Sequence, residues 1–167
     1  MFVFSFKANK PKLIIALCVV ICVLIAGTLA LGGRKKPVVN DKVINYKAKT
    51  ASECITFLSQ FGWTVNEEPA EVREVIIPSE FNDTYEAYNV IQKNQGLDLE
   101  PYKGFRAKKW IFEVKNYPEY PADSGYIRAT LLVYDGAVIG GDISSIEQNG
   151  FIQGFEFPNA SSREAGQ

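Results

Sequence analysis

Residues 13–31, LIIALCVVICVLIAGTLAL, limit this chain more than any other feature: nineteen consecutive positions carry no charge. At a rise of 1.5 Å per residue such a helix is about 29 Å long, which matches a hydrocarbon core of about 30 Å. A helix also satisfies its own backbone polar groups, a service lipid does not provide. Lys7, Lys10 and Lys12 flank one end of the run, and Arg34, Lys35 and Lys36 flank the other. The sequence therefore predicts a basic tail at 1–12, a transmembrane helix at 13–31 and a polar tether at 32–49. Arg34, Lys35 and Lys36 are expected at the lipid headgroups, so the bilayer itself is the first partner.

A cleaved signal peptide is the rival to a retained anchor, since Thr28-Leu29-Ala30 resembles a small-x-small cleavage site. The apolar run is longer than the usual signal core of about 7–15 residues, which favours retention. Leu17 and Ile21, not small residues, precede Cys18 and Cys22, which speaks against lipid attachment there. Orientation draws on two opposed signals. A short basic tail before an apolar helix is how signal anchors export the rest of the chain, which places the domain outside the cytoplasm. Arg34, Lys35, Lys36, Lys42, Lys47 and Lys49 on the far flank instead argue for a cytoplasmic domain.

Beyond Lys36 the chain holds nineteen acidic against twelve basic residues, a balance of −7. Phosphate backbones repel such a domain, so nucleic acid is not an expected partner. The chain has no histidine, which removes Ser-His-Asp and Cys-His nucleophiles, the common zinc sites and the side chain that titrates most readily near neutral pH. Cys54 is the one cysteine outside the apolar run. It is expected in the core rather than as a reactive thiol. No catalytic residue, metal site or cofactor is predicted.

The folded part is expected at 50–157, with a frayed tail at 158–167. Thr50-Ala-Ser-Glu53 forms a capping box, followed by Ile55, Leu58 and Phe61 on one helical face and Gly62 as a stop. Residues 63–65 and 71–77 have strand character, separated by Glu67-Glu68-Pro69. A second helix is expected over 82–95, with Phe81, Tyr85, Tyr88 and Ile91 on its apolar face. In 106–116, Trp110, Phe112 and Val114 alternate with Lys109, Glu113 and Lys115, the pattern of a half-buried antiparallel strand. Ile127, Ala129, Leu131 and Val133 line the next strand. Asp135-Gly136 and Asn149-Gly150 then predict two tight hairpins, leading into 137–143 and 151–157. The fold class is α+β: an N-terminal transmembrane helix, then a roughly four-stranded antiparallel meander packed against one or two helices.

Three segments together resemble a known family. They are Phe57-Leu-Ser-Gln-Phe-Gly-Trp63, the stretch from Ile77-Pro-Ser-Glu-Phe81 to Pro101-Tyr-Lys-Gly104, and Leu131-Leu-Val-Tyr-Asp-Gly-Ala-Val-Ile-Gly-Gly-Asp142. Over about residues 53–157 the chain resembles bacterial single-span proteins known only as a domain of unknown function. That resemblance implies a membrane-tethered bacterial domain and carries no activity or site residue with it. The Val-Tyr-Asp-Gly-Ala-Val-Ile-Gly stretch is also similar to the terminal hairpin of PepSY and cystatin-like helix-on-sheet modules, most of which bind or inhibit proteins.

Four groups of residues invite a chemical reading. Asp135, Asp142 and Glu147 could supply a carboxylate pair for glycan hydrolysis, which needs two carboxyl groups flanking one bond. A turn role for Asp135 and strand-end positions for the others are the simpler account. Gly140-Gly141-Asp142 could form an anion-binding nest, although paired glycines in a strand more often mark a bulge or a close helix. Lys103, Arg106, Lys108 and Lys109 alternate with Phe105 and Trp110, a pattern expected of a solvated strand start that leaves contact with an anionic membrane or wall polymer open. Tyr117-Pro-Glu-Tyr-Pro121 is a rigid aromatic loop, and Tyr117, Tyr120 and Tyr126 are the expected partner-binding residues. The sequence thus reads as a membrane-anchored, extracytoplasmic, non-catalytic domain that binds an envelope protein or wall polymer. The alternatives are a carboxylate-dependent cell-wall hydrolase and a regulatory domain on the cytoplasmic face.

Overall fold

The structure is a computed structural model that describes residues 38–39 and 42–158. The predicted transmembrane helix at 13–31 and the headgroup residues Arg34, Lys35 and Lys36 lie outside the described residues. Among the described residues no helix is long and apolar enough to cross a membrane.

A small antiparallel hairpin pairs β1 (Val38–Val39) with β2 (Lys42–Val43). Helix α1 (Ala51–Ser59) comes next, opened by the predicted capping box: Thr50 Oγ accepts from Glu53 N–H, and the Glu53 carboxylate accepts from Thr50 N–H. Then come β3 (Glu71–Ile76), α2 (Asp83–Asn94, capped by Asn82), a short 3-10 turn at Glu100–Tyr102, β4 (Arg106–Glu113), β5 (Ile127–Tyr134), β6 (Ala137–Ser145) and β7 (Ile152–Gln153). Strands β3 to β7 form one antiparallel sheet in sequence order.

The expected architecture needs correction on the sheet. It has five strands, not four, and dominates a mostly β domain. The added strand is β3, which pairs along its full length with β4 after the chain has travelled out through α2 and back. Its charges, Glu71, Arg73 and Glu74, fit an edge position, where charged side chains discourage a further strand from pairing. The two helices lie on opposite faces. On the first face, Cys54, Phe57 and Leu58 of α1 pack with Trp110, Phe112, Leu131, Val133 and Ile143. On the second, Phe81, Tyr85 and Tyr88 pack with Ala107, Leu132 and Ile139. The side-chain period of two makes this possible, because β5 sends its odd positions to one helix and its even positions to the other.

Other local expectations also shift. The tether predicted to run to residue 49 is packed well before that: Ile44 and Ala48 are fully buried, Tyr46 C=O accepts from Val138 N–H, and Lys47 bridges to Ala137. Residues 63–65 contribute one isolated bridge, Val65 to Val114, in place of a strand. Asp135-Gly136 makes the predicted turn, with φ of 48° and 73°. Asn149-Gly150 does not. Gly150 N–H closes on Glu147 C=O and Ser145 N–H on Phe151 C=O, so a longer loop spans 146–150 and β7 is two residues long.

The buried face of α2 differs as well. In place of Ile91 it buries Asn89 and Gln92. Gln92 Oε1 accepts from Gly141 N–H at 2.8 Å and from Gln95 Nε2 at 2.8 Å. Gln95 Nε2 also donates to Gly141 C=O at 2.9 Å, while its Oε1 accepts from Phe155 N–H at 2.8 Å. Phe155 C=O in turn accepts from Trp63 Nε1 at 2.6 Å, and its ring meets Phe57 edge-on at 5.1 Å. This one residue therefore ties both faces together at the β7 edge.

Candidate functional site

The predicted aromatic loop is largely absorbed into packing. Tyr117 stacks on Trp63 with centroids 5.8 Å apart and meets Tyr120 edge-on at 5.6 Å. The Tyr117 hydroxyl donates to Gln153 Oε1 at 3.1 Å, and the Tyr120 hydroxyl to Glu147 Oε2 at 2.6 Å. That bond to Glu147 pushes the Tyr120 phenol above its ordinary value. The structure thus brings Tyr117 and Tyr120 together as a brace for the 115–126 loop. Tyr126 stands apart from them with 47% of its surface exposed.

Tyr126 has other neighbours that sequence reasoning missed. Its carbonyl accepts from Ile146 N–H at 2.9 Å, which extends the β5–β6 ladder by one step. Ile152 of β7 pairs beside Ser144, diagonal to Ile146. Ile146 is 60% exposed and Ile152 49%, so three apolar side chains share the distal end of the sheet, where β5 begins and β6 ends. Their only sequence signal was an Ile on each side of the Asn149-Gly150 loop, which is not distinctive.

The three acidic candidates do not converge. Asp135 sits in the β5–β6 turn. Asp142 faces α2 and is 5% exposed, with Tyr88 Oη donating to its Oδ2 at 2.9 Å. Burial raises the Asp142 carboxyl above its usual range, opposed by hydrogen bonds from Ser144 and Tyr88 and by the Lys109 charge. Burial, with Asp142 beside it, raises the Tyr88 phenol well above its ordinary value. Glu147 accepts from Ser145 Oγ and Tyr120 Oη in the distal loop, beside the α1-face core that Tyr120 packs against. Asp142 and Glu147 therefore belong to opposite faces of the sheet. Among the described residues no group of three or more His, Cys, Asp or Glu side chains could hold a metal ion.

Gly140 and Gly141 serve close packing. A Cβ at Gly140 would lie 2.9 Å from Leu99 Cδ2, and one at Gly141 would strike the Thr130 carbonyl and the Phe155 ring. Gly141 N–H is already given to Gln92, so no anion nest is open there. Cys54 is fully buried, and burial pushes its thiol up to about 12, as a core residue requires.

The basic strand start forms part of a shallow depression of about 380 Å³ at the opposite, proximal end, where the chain comes into the fold. Lys49, Arg106 and Lys108 line it together with Glu74, Tyr134 and the Asp135-Gly136 turn. Arg106 pairs with Glu74 at 3.0 Å. Lys108 Nζ stands 5.5 Å over the Trp110 ring, and Lys103 Nζ 4.2 Å over Phe81. Ile76 and Phe105, 63% and 46% exposed, flank this end.

The segment from Phe57 to Trp63, the α2 region and most of the β5–β6 hairpin fall inside a family match. Residues 57–143 match the family described as "Domain of unknown function (DUF4830)", which is more than half of the chain. The chain belongs to the DUF4830 family. No curated protein and no solved structure matches it. The DUF4830 match contains α2 and strands β3 to β5 but only the last three residues of α1, and it ends before Ile146, Ile152 and Phe155.

Proposed function

We propose that the chain is a bacterial envelope protein held at the membrane by its apolar residues 13–31. Its folded domain stands outside the cytoplasm and binds or regulates another envelope protein without catalysing a reaction. The carrying observation is the exposed trio of Tyr126, Ile146 and Ile152 at the distal end. Apolar side chains grouped on a braced surface are what a protein interface uses, with Tyr as a favoured anchor. Tyr117 and Tyr120 support it from behind, by fixing the loop that leads to Tyr126.

The test compares proteins retained by the full-length wild type with those retained by Tyr126→Ala and by Ile146→Asp, both checked for native circular dichroism. A partner held by the wild type and released by both variants is expected. A partner set unchanged by either variant removes this surface from the account.

The basic residues after the apolar run, Arg34, Lys35, Lys36, Lys42, Lys47 and Lys49, favour a second reading in which the domain regulates a partner at the inner leaflet. Protease added to intact protoplasts separates the two. Cleavage of the domain supports the extracytoplasmic reading, and protection supports the cytoplasmic one.

A further inference from the structure

Ten lysines and arginines lie between residues 43 and 158. Arg73, Lys93, Arg106, Lys115 and Arg128 each pair with a carboxylate, namely Glu71, Glu100, Glu74, Asp123 and Glu113. The other five, Lys47, Lys49, Lys103, Lys108 and Lys109, form no salt bridge among the described residues. These five occupy two short stretches, 47–49 and 103–109, and the fold brings the two together. Lys47 bridges to Ala137 at the start of β6, Ala48 N–H donates to Gly136 C=O, and the 103–109 stretch opens β4 beside the same turn. In a domain whose overall balance is acidic, four of these lysines, Lys47, Lys49, Lys103 and Lys108, are gathered at one end, while Lys109 sits further along β4, where its charge acts on Asp142.

That end is also where the chain from residue 43 comes into the fold, about eleven residues after the apolar run stops. The same end exposes Ile76 and Phe105, and the β3–β4 register sets Ile76 directly opposite Arg106. Lysines flanking an exposed aromatic and an aliphatic side chain suit the headgroup region of a bilayer, where cations meet phosphates and the apolar groups meet the acyl boundary. The distal end has the opposite character. There Lys115 and Arg128 are neutralised by Asp123 and Glu113, and Glu67, Glu68, Glu119 and Glu147 add further negative charge.

We infer that the proximal end of the domain, built from Lys47, Lys49, Lys103, Phe105 and Lys108 around the depression at the Asp135-Gly136 turn, docks on anionic phospholipid headgroups. Docking orients the sheet so that Tyr126, Ile146 and Ile152 point away from the membrane. This inference rests on the membrane tethering proposed above and holds for either orientation of the anchor.

The test is lysine acylation footprinting by mass spectrometry on the full-length chain reconstituted, domain outward, into phosphatidylcholine vesicles with or without phosphatidylglycerol. With the anionic lipid, acylation of Lys47, Lys49, Lys103 and Lys108 is expected to slow by roughly fivefold, the scale of one surface charge meeting an anionic leaflet. Lys93 and Lys115 should stay unchanged, and high salt should erase the effect. A triple variant, Lys47→Glu, Lys49→Glu and Lys108→Glu, with unaltered near-ultraviolet circular dichroism, should lose the remaining protection at Lys103. Equal labelling in both vesicle types, with the chain still floating on them, overturns docking and leaves the tether standing. Failure of the chain to float with either vesicle overturns the tether and docking together. Equal protection by soluble polyphosphate over neutral vesicles shows a general polyanion site and overturns the lipid assignment.

Discussion

The two faces of the central sheet are closed by different physics. Under α1 the contact is apolar: Phe57, Leu58, Phe112, Leu131 and Ile143 are all fully buried, and Phe57 meets Phe61 and Phe155 edge-on. Such a face gains stability in proportion to buried area and puts little constraint on direction. Under α2 the packing is fixed by directed hydrogen bonds that the amide oxygens of Asn89, Gln92 and Gln95 accept from backbone N–H groups, and by the bond Tyr88 donates to Asp142. Buried amides add little net stability while paired, and cost much when a partner is lost. The first face should therefore respond to volume, and the second to the loss of single atoms.

The largest test of that contrast is Phe57→Ala, which leaves a cavity against Phe61 and Phe155. It should lower unfolding free energy by about 3–5 kcal/mol in a denaturant titration. Leu58→Met keeps the volume and should cost less than about 1.5 kcal/mol, as an apolar face permits. Gly141→Ala comes next: φ is 154° there and the new methyl meets Thr130 and Phe155. The backbone term alone is about 1–3 kcal/mol. Gln92→Leu is nearly conservative in size, yet it strands Gly141 N–H and one donor of Gln95. A loss of about 1–3 kcal/mol is expected. If it behaves like Leu58→Met, the contrast between the faces is wrong.

Asp142 sharpens the same point through pH. Its carboxyl is raised above the ordinary 3.8 by burial, so the folded chain holds this proton at pH values where the unfolded chain has released it. Its contribution to stability is thus complete below about pH 3.8 and is lost as pH rises through the raised folded value. Asp142→Asn, which still accepts from Tyr88, should remove that decline. The difference between the two stability–pH curves isolates it from the other carboxylates. The smallest expected effect is Thr50→Ala, about 1 kcal/mol, because it breaks a cap at the surface and touches neither face.

The features legible in the sequence were those decided within a few residues. The Thr50–Glu53 box, the Asn82 start of α2, the Asp135-Gly136 turn and the alternation through Trp110 and Phe112 each carry their own local chemistry. The features hidden from it depend on distant partners. Nothing near β3 announces that it will pair with β4 across the α2 excursion. The burial of Gln92 and Gln95 makes sense only once Gly141 and Phe155, some fifty to sixty residues later, supply their partners. Tyr126 was legible as a candidate beside the aromatic loop at 117–121. Its separation from Tyr117 and Tyr120, and its company with Ile146 and Ile152, come from how the β5–β6 ladder ends.

The same distinction carries to function, where the proximal end has lysines without salt bridges and the distal end has exposed apolar side chains. The most direct measurement places a photoreactive phenylalanine in the full-length chain, at Tyr126 in one variant and at Phe105 in another, and crosslinks both in intact cells. Position 126 should yield a discrete protein adduct and position 105 should yield lipid adducts. Protein adducts from position 105, or lipid adducts from position 126, would contradict the assignment of one end to the membrane and the other to a partner.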